Sequence, residues 1–238
     1  MVKKLTIVIL ALISFIGSAQ STESFFAKAD AFFKTYVQEG KVNYKAIQKN
    51  PDMLDDLLKV GKNIRVSKEN ANEFKAFWIN VYNVWVIKSV IENYPLKSPL
   101  DVFGFFDKTI HEVGGLQITL NDIENKLLRE NFPEEPRFHF VLVCAGLGCP
   151  PIINRAYLPG TLDVQLQEQT KLALNDPSFI RQKGDKVLVS QIFEWYKNDF
   201  EQNGQKLIDF INHYRPEKFS KKTKLSYYPY DWNINETK

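Results

Sequence analysis

Between Ser24 and Val37, apolar side chains fall at Phe25, Phe26, Ala29, Phe32, Phe33 and Tyr36, the spacing of one helix face. Gly40 predicts the end of that helix, and Val42-Asn43-Tyr44 reads as a short extended piece. Pro51 opens a second helix carrying Met53, Leu54, Leu57 and Leu58. A third, capped by Ser67 or Asn70, is expected to run to about Tyr94, where Pro95 stops it. Its centre is different: Phe74, Phe77, Trp78, Ile79, Val81, Tyr82, Val84, Trp85, Val86 and Ile87 leave almost no polar face. Such a helix must be buried by the rest of the fold. Asn80 and Asn83 sit inside it, three apart and therefore neighbours.

Beyond Pro99 the periods shorten. Residues from Thr109 to Val113 and from Leu116 to Thr119 flank Gly114-Gly115, a two-residue hairpin signal. Thr119, with Asp122 three residues on, predicts the N-cap of a helix through about Arg129. Phe138 to Cys144 is a strongly apolar strand candidate, and Cys149-Pro150-Pro151 reads as a helix start. Further helices are expected from Thr161 to Asn175, after Ser190, and from Gly204 to Tyr214. Phe179 to Arg181 should pair with Lys186 to Val189 across Gly184-Asp185. Tyr227-Tyr228-Pro229-Tyr230 forms an aromatic edge strand or extended tail. Helices first, then short strands mixed with helices, give a single helix-rich α+β domain with short antiparallel strands.

The N-terminus changes the compartment. Lys3 and Lys4 precede an apolar run from Leu5 to Ile16, followed by Gly17-Ser18-Ala19. This is the pattern of a secretory signal peptide over 1–19, which leaves a domain over 20–238. The run is short for a permanent membrane helix, and no Cys follows it to carry a lipid. The expectation is an exported, periplasmic or extracellular protein without stable membrane insertion. At 44% hydrophobic and 25% charged, the 238 residues exclude a disordered tail or a multi-span membrane protein. Net charge is +3, and without Lys3 and Lys4 the 31 basic residues become 29 against 28 acidic ones, or +1. That balance gives no electrostatic case for nucleic acid, and the basic stretch from Lys218 to Lys224 reads as a solvated loop.

Chemistry is sparse: the histidines are His111, His139 and His213, and there are two cysteines. No paired His or Cys-x-x-Cys spacing suggests a metal, and no phosphate-binding glycine motif or Gly-x-Ser-x-Gly implies a cofactor or a serine nucleophile. The informative segment runs from Arg137 to Pro151. In one reading Cys149 is a nucleophile at a helix N-cap, and Gly146 and Gly148 free backbone N–H groups for an oxyanion. His139 is then the general base, Glu124 its orienting carboxylate, and Asn80 a further oxyanion donor. On a regular strand His139 and Cys144 would face opposite ways, so Cys149 rather than Cys144 is the candidate. The product would be a thiol-dependent hydrolase or acyl transferase acting on amide or peptide bonds.

In the alternative reading Cys144 and Cys149 form a disulfide in a non-catalytic binding domain. Aromatic residues from Tyr227 to Trp232 would then line a groove for a peptide or a glycan of the cell envelope. A third reading makes the pair redox-active. The commoner role of an acid placed like Glu124 is to start a helix, and that of buried amides such as Asn80 and Asn83 is to brace backbone; Asn83 and Arg129 read as ligand contacts or as fold supports.

At these residues the chain resembles the domain-of-unknown-function family 547. The matching pieces are Ala76-Phe-Trp-Ile-Asn-Val-Tyr-Asn83, Leu120-Asn-Asp-Ile-Glu124 with Leu128-Arg129, and Pro136-Arg-Phe-His-Phe-Val-Leu-Val-Cys144. Cys149-Pro-Pro151, Phe193-Glu-Trp-Tyr-Lys-Asn-Asp-Phe200 and Tyr230-Asp-Trp-Asn-Ile-Asn235 extend the resemblance from about residue 40 to the C-terminus. It implies a single α+β domain and invites comparison with papain-like thiol enzymes. Carried over by position, its polar residues are Asn80, Asn83, Glu124, Arg129, Arg137, His139, Cys144 and Cys149. Many members have His directly after the motif glutamate, where this chain has Asn125. If that histidine is the base elsewhere, only His139 can replace it here.

Overall fold

Phe25, Phe32 and Phe33 point inward from a helix over residues 22–36 (α1), as their spacing requires. The computed structural model describes residues 22–184 and 186–238. The expected signal peptide over 1–19 lies outside the described residues, as does Asp185. Strands β1 (Val37–Gln38) and β2 (Lys41–Val42) clip together antiparallel around Gly40, whose φ of 75° is the left-handed conformation that glycine tolerates. Helix α2 (Tyr44–Lys49) was not expected, because Tyr44 reads as extended; its signal is Asn43, whose side chain accepts from the Ala46 N–H at 3.0 Å. Helix α3 (Asp52–Lys62) begins after Pro51 as expected.

Helix α4 (Ala71–Glu92) is the axis of the molecule. Asn70 caps it, and fourteen of its residues are buried around almost its whole circumference, in accord with its missing polar face. The hairpin of β3 (His111–Val113) and β4 (Leu116–Ile118) turns on Gly114-Gly115. Thr119 then caps α5 (Leu120–Asp122), and the chain continues from Ile123 to Arg129 as a π-helix, with Glu130 N–H reaching Asn125 O at 2.9 Å.

Two expectations fail here. Phe138 to Cys144 is not a strand: Pro136–Phe140 is a 3-10 turn, and the following backbone pairs with an α4 side chain. Asn83 donates to Val141 O and accepts from Val143 N–H, both at 2.9 Å. The run is apolar because it is buried. The alternation argument that separated His139 from Cys144 therefore has no strand to act on. Nor does Cys149 start a helix: residues 150–158 are irregular, and the next regular turn is Pro159–Thr161 before α6 (Leu162–Asn175). Consecutive prolines explain this, because the residue before each proline is steered away from helical backbone.

The C-terminal half adds β5 (Ile180–Lys183), β6 (Lys186–Ser190), the short helices α7 (Ile192–Trp195) and α8 (Lys197–Phe200), α9 (Leu207–His213) and β7 (Lys224–Tyr228). Strands β5 and β6 are antiparallel, whereas β7 joins β6 parallel, so the strands are not all antiparallel. The helices between β6 and β7 form the crossover that a parallel pair needs. The protein is an α+β domain. After β7 an extended tail stitches its parts together: Leu147 N–H donates to Asn233 O, Gly148 N–H to Asp231 O, Asn235 N–H to Ala145 O and Val42 N–H to Asn235 O. Apolar side chains form two clusters, one around α4 and one built on Phe140, Phe179, Phe193, Phe200 and Phe210. Cys149 packs against both. Among the described residues no helix is long and apolar enough to cross a membrane.

Candidate functional site

Where the two clusters meet lies a cavity of about 220 Å³. Tyr82 comes from α4, Asn121 and Glu124 from α5 and its π-helical extension, and Phe106 from the loop before β3. His139, Leu142, Cys144 and Cys149 come from the irregular segment, Ile192, Trp195 and Tyr196 from α7 and the residue after it, and Tyr230 and Trp232 from the tail. Among the lining residues there is no lysine or arginine.

The two cysteines are joined in a disulfide, their Cα atoms 6.4 Å apart, within the ordinary reach of such a bond. Neither thiol is free. The Tyr230 hydroxyl lies 2.9 Å from Cys149 Sγ and 3.0 Å from Cys144 Sγ, and the Cys144 N–H donates to Cys149 Sγ at 2.9 Å. Gly148 explains how the tail gets so close: a Cβ there would meet Asp231 N at 2.8 Å and the Tyr230 ring at 2.9 Å. The glycine loop is not a set of free oxyanion donors, contrary to expectation. Leu147 and Gly148 give their N–H groups to the tail, and Cys149 N–H is bonded to Gly146 O at 3.2 Å.

His139 Nε2 is 2.8 Å from Asp199 Oδ2, and its ring stacks on Tyr196 with centroids 4.0 Å apart. Its carboxylate partner is therefore Asp199, not Glu124. Arg129 grips the same aspartate through Nε and one terminal nitrogen at 2.7 and 2.9 Å, lies over the Tyr196 ring and contacts Asn125. Burial alone would raise the Asp199 carboxyl, but hydrogen bonds from His139 and Arg129 outweigh it and hold the group well below the usual carboxylate range. Nothing in the sequence pattern singled out Asp199. Its one signal is its place three residues after Tyr196, in an aromatic motif whose only other carboxylate is Glu194.

Glu124 belongs to a different arrangement. The Tyr82 hydroxyl donates to it at 3.4 Å, and Tyr196 lines the same cavity. Desolvation, then the negative charge of Glu124, pushes the Tyr82 and Tyr196 hydroxyls upward, so both stay neutral donors. Asn80 and Asn83 do not line the cavity. Asn80 donates to Ala76 O at 2.8 Å and Tyr157 O at 2.7 Å and accepts from Tyr157 N–H at 3.0 Å; Asn83 holds residues 141 and 143. Both amides are engaged with backbone partners. Arg137 is paired with Glu135 and Asp163 away from the cavity, and among the described residues no cluster of three or more His, Cys, Asp or Glu could hold a metal.

No curated protein and no solved structure matches this chain. A family model described as "Protein of unknown function, DUF547" matches residues 66–172. That span holds α4, Glu124, His139 and both cysteines, while Asp199, Tyr230 and Trp232 lie beyond it. Over residues 66–172 the chain thus resembles the DUF547 family, as its motifs lead one to expect.

Proposed function

We propose that the protein is an exported, non-catalytic binding domain whose aromatic cleft receives a group presented by a peptide or cell-envelope polymer. The observation that carries this reading is the Cys144–Cys149 disulfide in the wall of that cleft, held against Tyr230. It leaves no thiolate for nucleophilic attack, and the nearby N–H groups of residues 147 to 149 are already bonded. Tyr230 and Trp232 supply the cleft with the aromatic surface that small-ligand sites favour. The test is titration of the oxidised protein with peptide and envelope-oligosaccharide fragments, followed by tryptophan fluorescence. Saturable binding that weakens in Trp232→Ala and survives in the Cys144→Ser, Cys149→Ser double variant supports the reading. Multiple turnover that requires Cys149 overturns it.

One observation favours a second reading. The His139–Asp199 hydrogen bond is the base-and-orienter half of a nucleophilic triad, in a cleft that both sulfurs line. In a reduced protein Cys149 would complete it, with Asp199 in the role first given to Glu124. An amide-hydrolase activity that appears only after reduction and is lost in both Cys149→Ser and His139→Gln identifies this reading.

A further inference from the structure

Six of the cavity's lining side chains are aromatic: Tyr82, Phe106, Trp195, Tyr196, Tyr230 and Trp232. Trp195, Tyr230 and Trp232 form a continuous wall, with ring centroids 4.7 to 6.1 Å apart, and Phe106 extends it at 6.3 Å from Trp232. Trp195 is 47% exposed, so the wall opens to solvent. Aromatic faces are negative, and tryptophan is the best of them for a cation.

The charges around the cavity have the same sign. Glu124 lies in the lining, where the Tyr82 hydroxyl donates to it, and it has no ion pair among the described residues. Arg129, on which the Glu124 charge acts, is engaged bidentately by Asp199. One arginine stands near two carboxylates, Glu124 and Asp199, and it is Asp199 that holds it. An anionic ligand would meet Glu124 with no free base to receive it. A neutral ligand would leave that carboxylate without a charge partner.

We propose that this cavity is a recognition site for an alkylammonium group, with the aromatic wall around its carbons and Glu124 as its counter-ion. The assignment rests on the binding-domain reading and names the ligand class for that cleft. Its small volume suits a headgroup rather than a whole ligand. Two sources share this chemistry: a free quaternary ammonium compound, and the amine of a lysine or amino-terminal residue in a peptide.

The experiment titrates the oxidised full-length protein with choline, with choline's uncharged isostere in which carbon replaces nitrogen, with N-acetyl-lysine methylamide, and with a neutral oligosaccharide. Fluorescence of Trp195 and Trp232 is the readout. At least one ammonium ligand should bind about tenfold more tightly than the uncharged isostere. Stronger binding of choline identifies the quaternary source, and stronger binding of the lysine derivative the peptide source. Glu124→Gln keeps an oxygen for Tyr82 and should abolish the preference for charge. Equal affinity for the isostere overturns the proposal in the wild-type protein alone, so a poorly folded variant does not shield it. Preference for the oligosaccharide overturns the ligand class and leaves the binding reading standing. Absence of binding by any of these compounds, together with Cys149-dependent turnover, overturns both.

Discussion

The Tyr230 hydroxyl donates to Cys149 Sγ at 2.9 Å, across 81 residues of chain, and thereby fastens the C-terminal tail to the disulfide. The Cys144 N–H reaches the same sulfur at 2.9 Å. Two donors on one sulfur favour its thiolate once the bond is reduced. In the reduced protein Cys149 should therefore be the more acidic thiol, and Tyr230→Phe should raise its apparent pKa by roughly one unit, the worth of one hydrogen bond to a charged group. Alkylation rate against pH, resolved by peptide mass, reads this directly. An unchanged profile would show that the hydroxyl does not act on that sulfur.

Asn83 substitutes for a neighbouring strand. Its side chain satisfies Val141 O and Val143 N–H, both buried and without regular secondary structure to serve them. Asn83→Ala orphans both groups and should cost about 2–4 kcal/mol in denaturant unfolding. Asn83→Asp keeps the acceptor and loses the donor, and should fall between the two. A loss below about 1 kcal/mol in the alanine variant would mean that water replaces the brace.

Asp199 joins two cations or would-be cations, Arg129 and His139. Its side chain is 21% exposed, so the pairing is neither fully buried nor freely solvated. Asp199→Asn keeps the shape but strands Arg129, and should destabilise by about 2 kcal/mol. Because Arg129 would then be free to pair with Glu124, the variant should also weaken ammonium binding. Stability and binding both unaffected would contradict the network described here.

His111 supplies a pH dependence. It is 2% exposed, packs its ring 4.4 Å from that of Trp85, and its Nε2 has no hydrogen-bond partner among the described residues. Burial pushes its pKa down to about 4. The unfolded chain takes up the proton near pH 6.5, so between about 6.5 and 4 the unfolded state holds more protons than the folded one. Stability should fall as pH falls through that window, by up to about 3 kcal/mol, and this contribution should level off below it. His111→Phe should flatten the slope, as measured by denaturant unfolding at several pH values. An identical slope in the variant would assign the dependence elsewhere.

Helices with strong periodicity or clear caps were legible: the aromatic face of α1, the all-apolar α4 and the Gly114-Gly115 hairpin stand where the pattern puts them. The segment from Phe138 to Pro151 was not. Hydrophobicity there reports burial, and its partners are the Asn83 side chain and a tail some eighty residues away, which no local period encodes. The disulfide was one of the alternatives that the spacing of Cys144 and Cys149 left open. The link from His139 to Asp199 spans 60 residues and was missed for the same reason as the loop. Glu124, expected to orient His139, lines the cleft with the Tyr82 hydroxyl on it, while His139 is bonded to Asp199.

The most direct measurement is the mass of the purified protein after alkylation under native conditions, before and after reduction. No alkylation is expected at first, then a gain of two hydrogens on reduction, with Cys144 and Cys149 both reactive thereafter. A thiol at Cys149 that alkylates rapidly in the unreduced protein would contradict the disulfide-backed binding cleft and point instead to a nucleophile served by His139 and Asp199.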